Sequence, residues 1–221
     1  MRGQNGVFLA SKGGHNDESH NHNDVGTFIL FYDEQPVFVD AGVGTYTRKT
    51  FSPERYDIWT MQSNYHNLPV INGYPQRAGK QYKSSEVEFD PDQSSFSLDL
   101  SKAYPRQAKI EKWTRRYRIN QNQQIQITDD FSLKNPEQPN QINFLTALKP
   151  VIDDSDNIKI PLNSNSVSLS FNKAKLKPSI KVINIEDRRL EHVWGKRLYQ
   201  VSFTAKQLTT KDQYKFFISN P

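Results

Sequence analysis

The sequence predicts an all-β fold, a large antiparallel β-sandwich with little or no helix. Three observations lead there. Apolar residues alternate with polar ones over most of the chain, which is the period of a half-buried strand. Clusters of Asn, Asp, Pro and Ser interrupt the alternation at short intervals, as turns do. No stretch carries three or more turns of helical periodicity. A dozen or so short strands of this kind are expected to form packed antiparallel sheets.

Taken in order, the apolar runs Thr27–Tyr32 and Val37–Val39 flank Asp33-Glu34-Gln35-Pro36, which reads as a hairpin turn. Phe96, Leu98 and Leu100 alternate next. The segment Lys109–Arg118 mixes basic and aromatic side chains on one strand. Its alternation places Lys112, Arg116 and Arg118 on one face, with Trp113 and Tyr117 on the other. That basic face reads either as an ordinary solvated strand surface or as an electrostatic track for an acidic polymer. Ile125 and Ile127 form a further strand. Val167, Leu169 and Phe171, then Tyr199, Val201 and Phe203, continue the scheme, and Tyr214–Ser219 closes the chain. Asn135–Asn140 and Asp153–Asn157 are the clearest turn clusters.

Composition narrows the function classes. The chain has 221 residues, with 29 Lys and Arg against 24 Asp and Glu, a net charge of +5. That length suffices for a sizeable core without disulfides, and residues 1–221 are read as a single β-sandwich domain. The positive balance permits an acidic partner but falls short of a nucleic-acid-binding signature. The absence of cysteine excludes thiolate catalysis, Cys-ligated zinc and disulfides. No apolar run reaches the roughly 18 residues of a membrane span, and Met1–Lys12 lacks the apolar core of a signal peptide.

Residues 1–81 differ from the rest in being rich in His, Gly and Asn and poor in regular alternation. Irregular segments on a regular scaffold commonly carry sites. Four of the five histidines, His15, His20, His22 and His66, fall there. His15 and His192 read as surface residues. Asp40 ends the apolar run Val37–Val39, where a carboxylate must find a cation or hydrogen-bond donors. Two imidazoles and a carboxylate would supply three ligands to a zinc ion, with water as the fourth. The same residues are equally compatible with a solvated loop and a turn cap. Gly14, five residues and then His20-x-His22 match the opening of the cupin metal motif. Cupins then place Glu after three or four intervening residues, where this chain has Gly26 and Thr27.

Three segments together carry a resemblance: His20-Asn21-His22-Asn23-Asp24-Val25-Gly26-Thr27-Phe28, Pro36-Val37-Phe38-Val39-Asp40-Ala41-Gly42, and His66-Asn67-Leu68-Pro69-Val70-Ile71-Asn72-Gly73. The pattern resembles the C-terminal β-sheet domain of heparinase II/III polysaccharide lyases, and so implies a supersandwich-like fold. The resemblance implies β-elimination on a uronic-acid-containing glycan, heparin- or heparan-like. It implies a catalytic role for His20 and a structural zinc on His22, Asp40 and His66. It also implies a partner in the same polypeptide, an N-terminal α/α toroid that supplies further catalytic residues and is absent from this chain. The isolated domain is therefore expected to be inactive, and the whole enzyme periplasmic or secreted. Where the family often has Thr after the His-Asn pair, this chain has Leu68.

Tyr46, Arg48 and Arg55, between Asp40 and His66, are candidates to face a substrate cleft. Arg pairs well with carboxylate or sulfate, though all three also suit an ordinary loop surface. Gln76, in the turn Gly73-Tyr74-Pro75-Gln76, is a further candidate substrate contact. A non-catalytic carbohydrate-binding β-sandwich is the alternative reading. It would need exposed aromatics on a groove and no convergence of His20, His22, Asp40 and His66.

Overall fold

The computed structural model describes residues 1–4, 6–153, 155, 157–163 and 165–219. The first strands are β1 (Phe8–Ser11), β2 (His15–Asn16), β3 (Phe28–Tyr32), β4 (Gln35–Phe38) and β5 (Pro69–Val70). Next come β6 (Gly79–Lys83), β7 (Ser85–Asp90), β8 (Ser95–Asp99), β9 (Ile110–Ile119), β10 (Ile125–Leu133) and β11 (Gln141–Thr146). The remaining strands are β12 (Val151–Ile152), β13 (Ile158–Pro161), β14 (Ser166–Phe171), β15 (Leu176–Asn184), β16 (Arg197–Ala205) and β17 (Lys211–Ser219). The alternating segments named from sequence are strands. The excess over a dozen comes largely from two-residue pairings such as β2, β5 and β12, too short for periodicity to reveal.

Every pairing of these strands is antiparallel. An eight-stranded sheet runs β12-β13-β14-β17-β10-β9-β8-β7, and a four-stranded sheet runs β15-β16-β11-β5. A three-stranded sheet, β1-β3-β4, and the two-stranded ribbon β2-β6 complete the set. The sheets meet through aromatic rings. Phe144 of β11 lies 5.0 Å from Phe216 of β17, 5.5 Å from Phe28 of β3 and 5.2 Å from Phe38 of β4. Such tilted and edge-to-face pairs add favourable quadrupole interactions to the area they bury. The β3-β4 hairpin is thereby pinned to both larger sheets.

The hairpin turn is tighter than the sequence suggested. Asp33 and Glu34 alone form it, both at positive φ, 46° and 61°, as a two-residue primed turn requires. Gln35 and Pro36 already belong to β4. Pro36 is tolerated because β4 is the edge of its sheet, where a missing N–H breaks no ladder. Of the Asp153–Asn157 turn, Asp154 and Asp156 lie outside the described residues. Asp153 accepts hydrogen bonds there from the Ser155 and Asn157 amides.

Helix is scarce. Among the described residues one α-helix occurs, α1 (Arg188–Trp194), two turns long and capped by Asp187, whose Oδ1 accepts from the Arg189 and Leu190 amides. Four short 3-10 turns, Arg48–Phe51, Pro53–Asp57, Trp59–Met61 and Ser63–Tyr65, fill the strand-free stretch between β4 and β5. A second apolar cluster packs them toward α1, with Val39, Ala41, Leu145, Ile183, Leu190 and Leu198 at its centre and Trp59, Tyr65 and Trp194 around them.

Strand β9 bears out the expected alternation and adds a charge to its inner face. Lys112, Arg116 and Arg118 are exposed, and Trp113 and Tyr117 are buried. Arg115 shares the inner face and is fully buried. Directly opposite on β10 stands Asp129, also fully buried. Arg115 Nε donates to Asp129 Oδ1 at 2.8 Å and Nη2 to Oδ2 at 2.7 Å. Trp113 Nε1 donates to the same carboxylate at 2.8 Å. A bidentate pair of this kind satisfies both ions where water cannot. Removing one partner strands a buried charge at a cost of about 3–5 kcal/mol. Asp129→Ala is accordingly expected to lower the unfolding free energy by about 3–5 kcal/mol in urea titrations. A loss below about 1 kcal/mol would show that the pair does not anchor the core.

Candidate active site

The site is assembled from three breaks in the β-structure. Residues 17–27 link β2 to β3 and carry His20 and His22. Asp40 lies just beyond β4. His66 ends the last 3-10 turn, Ser63–Tyr65.

The first loop keeps its shape through inward-facing polar side chains. Asn16, Asn21, Asn23 and Asp24 are all buried. Asn16 Oδ1 accepts from the Asp24 amide at 3.2 Å, and Asn21 Nδ2 donates to Tyr56 Oη at 3.2 Å. Lys12 Nζ reaches Asp24 Oδ1 at 2.5 Å. Gly26 closes the loop at φ +83°, and a Cβ there would fall 2.6 Å from the Leu100 side chain. Only glycine meets both conditions. The asparagines turn inward, and His20 is left exposed.

His20 and His22 face different surroundings. His20 is exposed and sits at φ +58°, the left-handed region that His enters more readily than most residues. Its Nδ1 lies 3.5 Å from Tyr46 Oη, and the two rings stack at 6.2 Å between centroids. His22 turns inward, its ring 5.5 Å from that of His66. A regular strand would put both rings on one face; this loop splays them instead.

Asp40 is aimed by its neighbours. Val39 and Ala41 are buried in the second apolar cluster, so alternation turns the Asp40 carboxylate to the opposite side. There Oδ2 meets His66 Nδ1 at 2.7 Å and Oδ1 accepts from the Gly42 amide at 2.8 Å. The donor and cation that an apolar strand's terminal carboxylate requires are therefore Gly42 and His66. His66 is buried, and its Nε2 has no hydrogen-bond partner among the described residues.

Charges reinforce the geometry. Burial alone would raise the Asp40 pKa, but the His66 charge and hydrogen bond hold it well below the usual carboxylate range. Burial alone would lower the His66 pKa, but Asp40 carries it above the ordinary imidazole value. Burial, followed by the charge of His66, pushes His22 down, toward the neutral form. Ligand atoms of His22, Asp40 and His66 lie within 4.8 Å of one another. Two imidazoles, one of them with an otherwise orphaned ring nitrogen, and a carboxylate fit a divalent cation of the zinc type.

The remaining sequence candidates occupy distinct positions. Tyr46 is exposed, stacks on His20 and lies under the Arg189 guanidinium, 5.8 Å from its ring. Arg48, also exposed, opens the first 3-10 turn. Arg55 is turned back onto the loop. Its Nε and Nη2 donate to the Asn21 carbonyl at 3.0 and 2.8 Å, and Nη1 donates to the Thr50 carbonyl at 2.9 Å. Arg55 thereby holds the residue between His20 and His22. Gln76 is buried, with Oε1 accepting from Asn16 at 2.9 Å and Nε2 donating to the Val25 carbonyl at 2.7 Å. Both groups support the loop from behind. His15 is half-buried, 3.4 Å from Glu18, and His192 is exposed on α1.

Three residues outside the sequence candidates, Asn67, Arg115 and Tyr117, fix the site to the scaffold. Asn67 donates to the Phe28 and Val39 carbonyls at 2.6 and 3.1 Å and accepts from the Leu145 amide at 2.6 Å. One side chain thus joins β3, the end of β4 and β11. Arg115 Nη1 donates to the Asn67 carbonyl at 2.7 Å, and Tyr117 Oη donates to the Gly26 carbonyl at 2.5 Å. The signal for Arg115 was available: a cation in register with Trp113 and Tyr117 must be buried and paired. Asn67 gives no such signal, because its three partners are far apart in sequence.

The chain matches the family profile described as Heparinase II/III-like, C-terminal, over residues 1–210. A search of curated protein sequences finds no match. Among solved structures, the heparan sulfate lyase HepC from Pedobacter heparinus aligns with a TM-score of 0.71 and 15% identity, covering 98% of this chain and 33% of that one. Two structures described as heparinase III align with TM-scores of 0.72 and 0.62, at 13% and 19% identity. The alignments cover 99% and 100% of this chain and 33% and 37% of theirs. The chain therefore spans about a third of the length of these structures, and at such identity the likeness is one of fold. With its profile match over nearly the whole length and its β-sandwich fold, the chain belongs to the heparinase II/III-like family, as the C-terminal domain.

Proposed function

We propose that the chain is the C-terminal part of a lyase that cleaves an acidic, uronic-acid-containing polysaccharide, heparin- or heparan-like, by β-elimination. The observation that carries this reading is the pairing of an exposed His20, in left-handed backbone, with the His22–Asp40–His66 group behind it. A purely structural loop has no need to hold one histidine out while gathering two others around a carboxylate. The similar solved structures are named as heparin- and heparan-cleaving enzymes, which supports the substrate class.

β-Elimination removes the proton at C5 of a uronate, next to its carboxylate, and expels the glycosidic oxygen at C4. Such a proton is weakly acidic, so the developing charge must be stabilised and the leaving oxygen protonated. His20 is the group on this chain placed to move that proton. Its Nε2 makes no hydrogen bond among the described residues, and Tyr46 stands at Nδ1. Tyr46, which stacks on His20, and the exposed Arg48 are the groups offered to a sugar ring and its carboxylate. Arg55 and Gln76 act on substrate through the loop they hold. A helical toroid elsewhere in the polypeptide would supply the rest of the machinery, and export to the periplasm or outside would bring the enzyme to its polymer.

Zinc, when bound, would cross-link the loop, the end of β4 and the last 3-10 turn through His22, Asp40 and His66. His22 is already biased to its neutral form, and Asp40 stays ionised well into acid. His66 must surrender a proton that Asp40 stabilises. Because its pKa is raised, zinc affinity is expected to weaken as pH falls from 8 to 6, with proton release on binding. Calorimetry in buffers of different ionisation heat measures both. Elemental analysis should find near-stoichiometric zinc, lost in His22→Ala or Asp40→Ala. A folded, metal-free protein that takes up no zinc at pH 8 would sink the assignment.

Activity supplies the second test. The 221-residue chain alone should release no unsaturated uronate product from heparan sulfate, read by absorbance. In the polypeptide that includes the toroid, His20→Ala should lower turnover by about 10²–10⁴-fold, with zinc content unchanged. Full turnover in that variant removes His20 from the mechanism.

A further inference from the structure

A groove of about 800 Å³ lies between β6, the start of β9 and the 3-10 turns Ser101–Ala103 and Arg106–Ala108. None of its lining residues belongs to the His20 site. Four of them are cationic, Lys102, Arg106, Lys109 and Lys134, and none is a carboxylate. Lys109 pairs with Glu137. Among the described residues, Lys102, Arg106 and Lys134 have no salt-bridge partner.

The backbone beneath these cations is rigid. Ala103, Tyr104, Pro105 and Ala108 are buried, and Tyr104 Oη donates to the Pro69 carbonyl at 2.6 Å. The flanking Lys102 and Arg106 are thereby left facing outward. The Lys134 amide donates to the Lys109 carbonyl at 2.8 Å, which ties the two opposite cations to one wall. Tyr82 adds an aromatic side chain, and the lining as a whole offers apolar surface between the charges.

Fixed, unpaired cations around a partly apolar floor suit a ligand with several anionic groups on ring-shaped units. The volume falls within the roughly 300–1,000 Å³ usual for small-molecule sites. We propose that this groove is a second glycan site, binding a short acidic oligosaccharide through its carboxylate or sulfate groups. The choice of glycan over other polyanions rests on the lyase reading given above. Strand β6 forms one wall and pairs with β2, which leads within four residues to His20. One strand ribbon thus connects the groove to the catalytic loop.

Calorimetric titration of the 221-residue chain with a heparin tetrasaccharide tests this independently of turnover and of zinc. An unsulfated oligogalacturonate in parallel separates carboxylate from sulfate recognition, either of which supports the site. The double variant Lys102→Glu/Arg106→Glu should weaken tetrasaccharide binding about ten-fold or more, as loss of charged hydrogen bonds implies. The equally charged variant Arg116→Glu/Arg118→Glu, on the outer face of β9, should stay within about two-fold of the parent, since it makes no such bonds. All four positions are exposed, so thermal midpoints confirm that both variants fold, and Lys134→Glu provides a third reading of the groove. Equal losses in the two double variants, or no loss in either, would overturn the proposal. So would equal binding of a neutral oligosaccharide, or of a single-stranded oligonucleotide of matched charge. Groove binding together with no lyase activity in the polypeptide that includes the toroid would leave this site standing and the lyase reading fallen.

Discussion

The buried pair of Arg115 and Asp129 is the constraint to which the rest of the structure is tied. Two full charges stand opposite each other across adjacent strands, fully buried, and every guanidinium nitrogen and both carboxylate oxygens have a hydrogen-bond partner. In a low-dielectric interior such bonds are strong and directional, and a misplaced partner is costly. The guanidinium has one nitrogen to spare after gripping the carboxylate. It spends that nitrogen on the backbone just after His66. Tyr117, next along the same face, does the same for the backbone just after the His20–His22 loop. Strand β9 of the large sheet thus reaches out and holds both halves of the site.

Asn67 completes this arrangement from the other side. Its amide joins the carbonyls of β3 and of the residue before Asp40 to the amide of Leu145 in β11. His66 and Asp40 are consequently neighbours of one junction, and their 2.7 Å separation follows from backbone bonds rather than from their mutual attraction alone. The Asp40–His66 pair then sets its own protonation, with each group stabilising the charge on the other. Burial, followed by the charge of His66, pushes His22 toward its neutral form. The convergence of two imidazoles and a carboxylate, and its proton balance, are in this sense products of the scaffold.

The division of labour in the loop has a simple physical origin. Loop backbone leaves amides and carbonyls unpaired, and buried ones need partners. Asn16, Asn21, Arg55 and Gln76 supply them from beneath, so the loop can be irregular yet fixed. His20 is then free to stand in solvent in a backbone conformation that costs roughly 1 kcal/mol. Relatives at 13–19% identity share the fold, which is consistent with a scaffold specified by pattern and by a few buried polar bonds.

By itself the sequence determined the all-β class, the main strands and the inward faces of β9, because period-two alternation is a local property of the chain. It also determined the donor set, since without cysteine a metal must be held by His and Asp. Asp40 was legible as a carboxylate needing partners, and the three motifs around His20, Asp40 and His66 carried the family. The two-residue strands, the 3-10 turns and the tighter Asp33–Glu34 turn were not legible, for each depends on distant pairing more than on local periodicity. Only the tertiary structure decided that Arg55 and Gln76 are bonded to the loop, that Asn67 bridges three strands, and that unpaired cations line a groove beside β6. Those facts are settled by which backbone groups come together in space. No local pattern encodes them, because partners on different elements, such as Asn67 and Leu145 or Gln76 and Asn16, meet only after the sheets have packed.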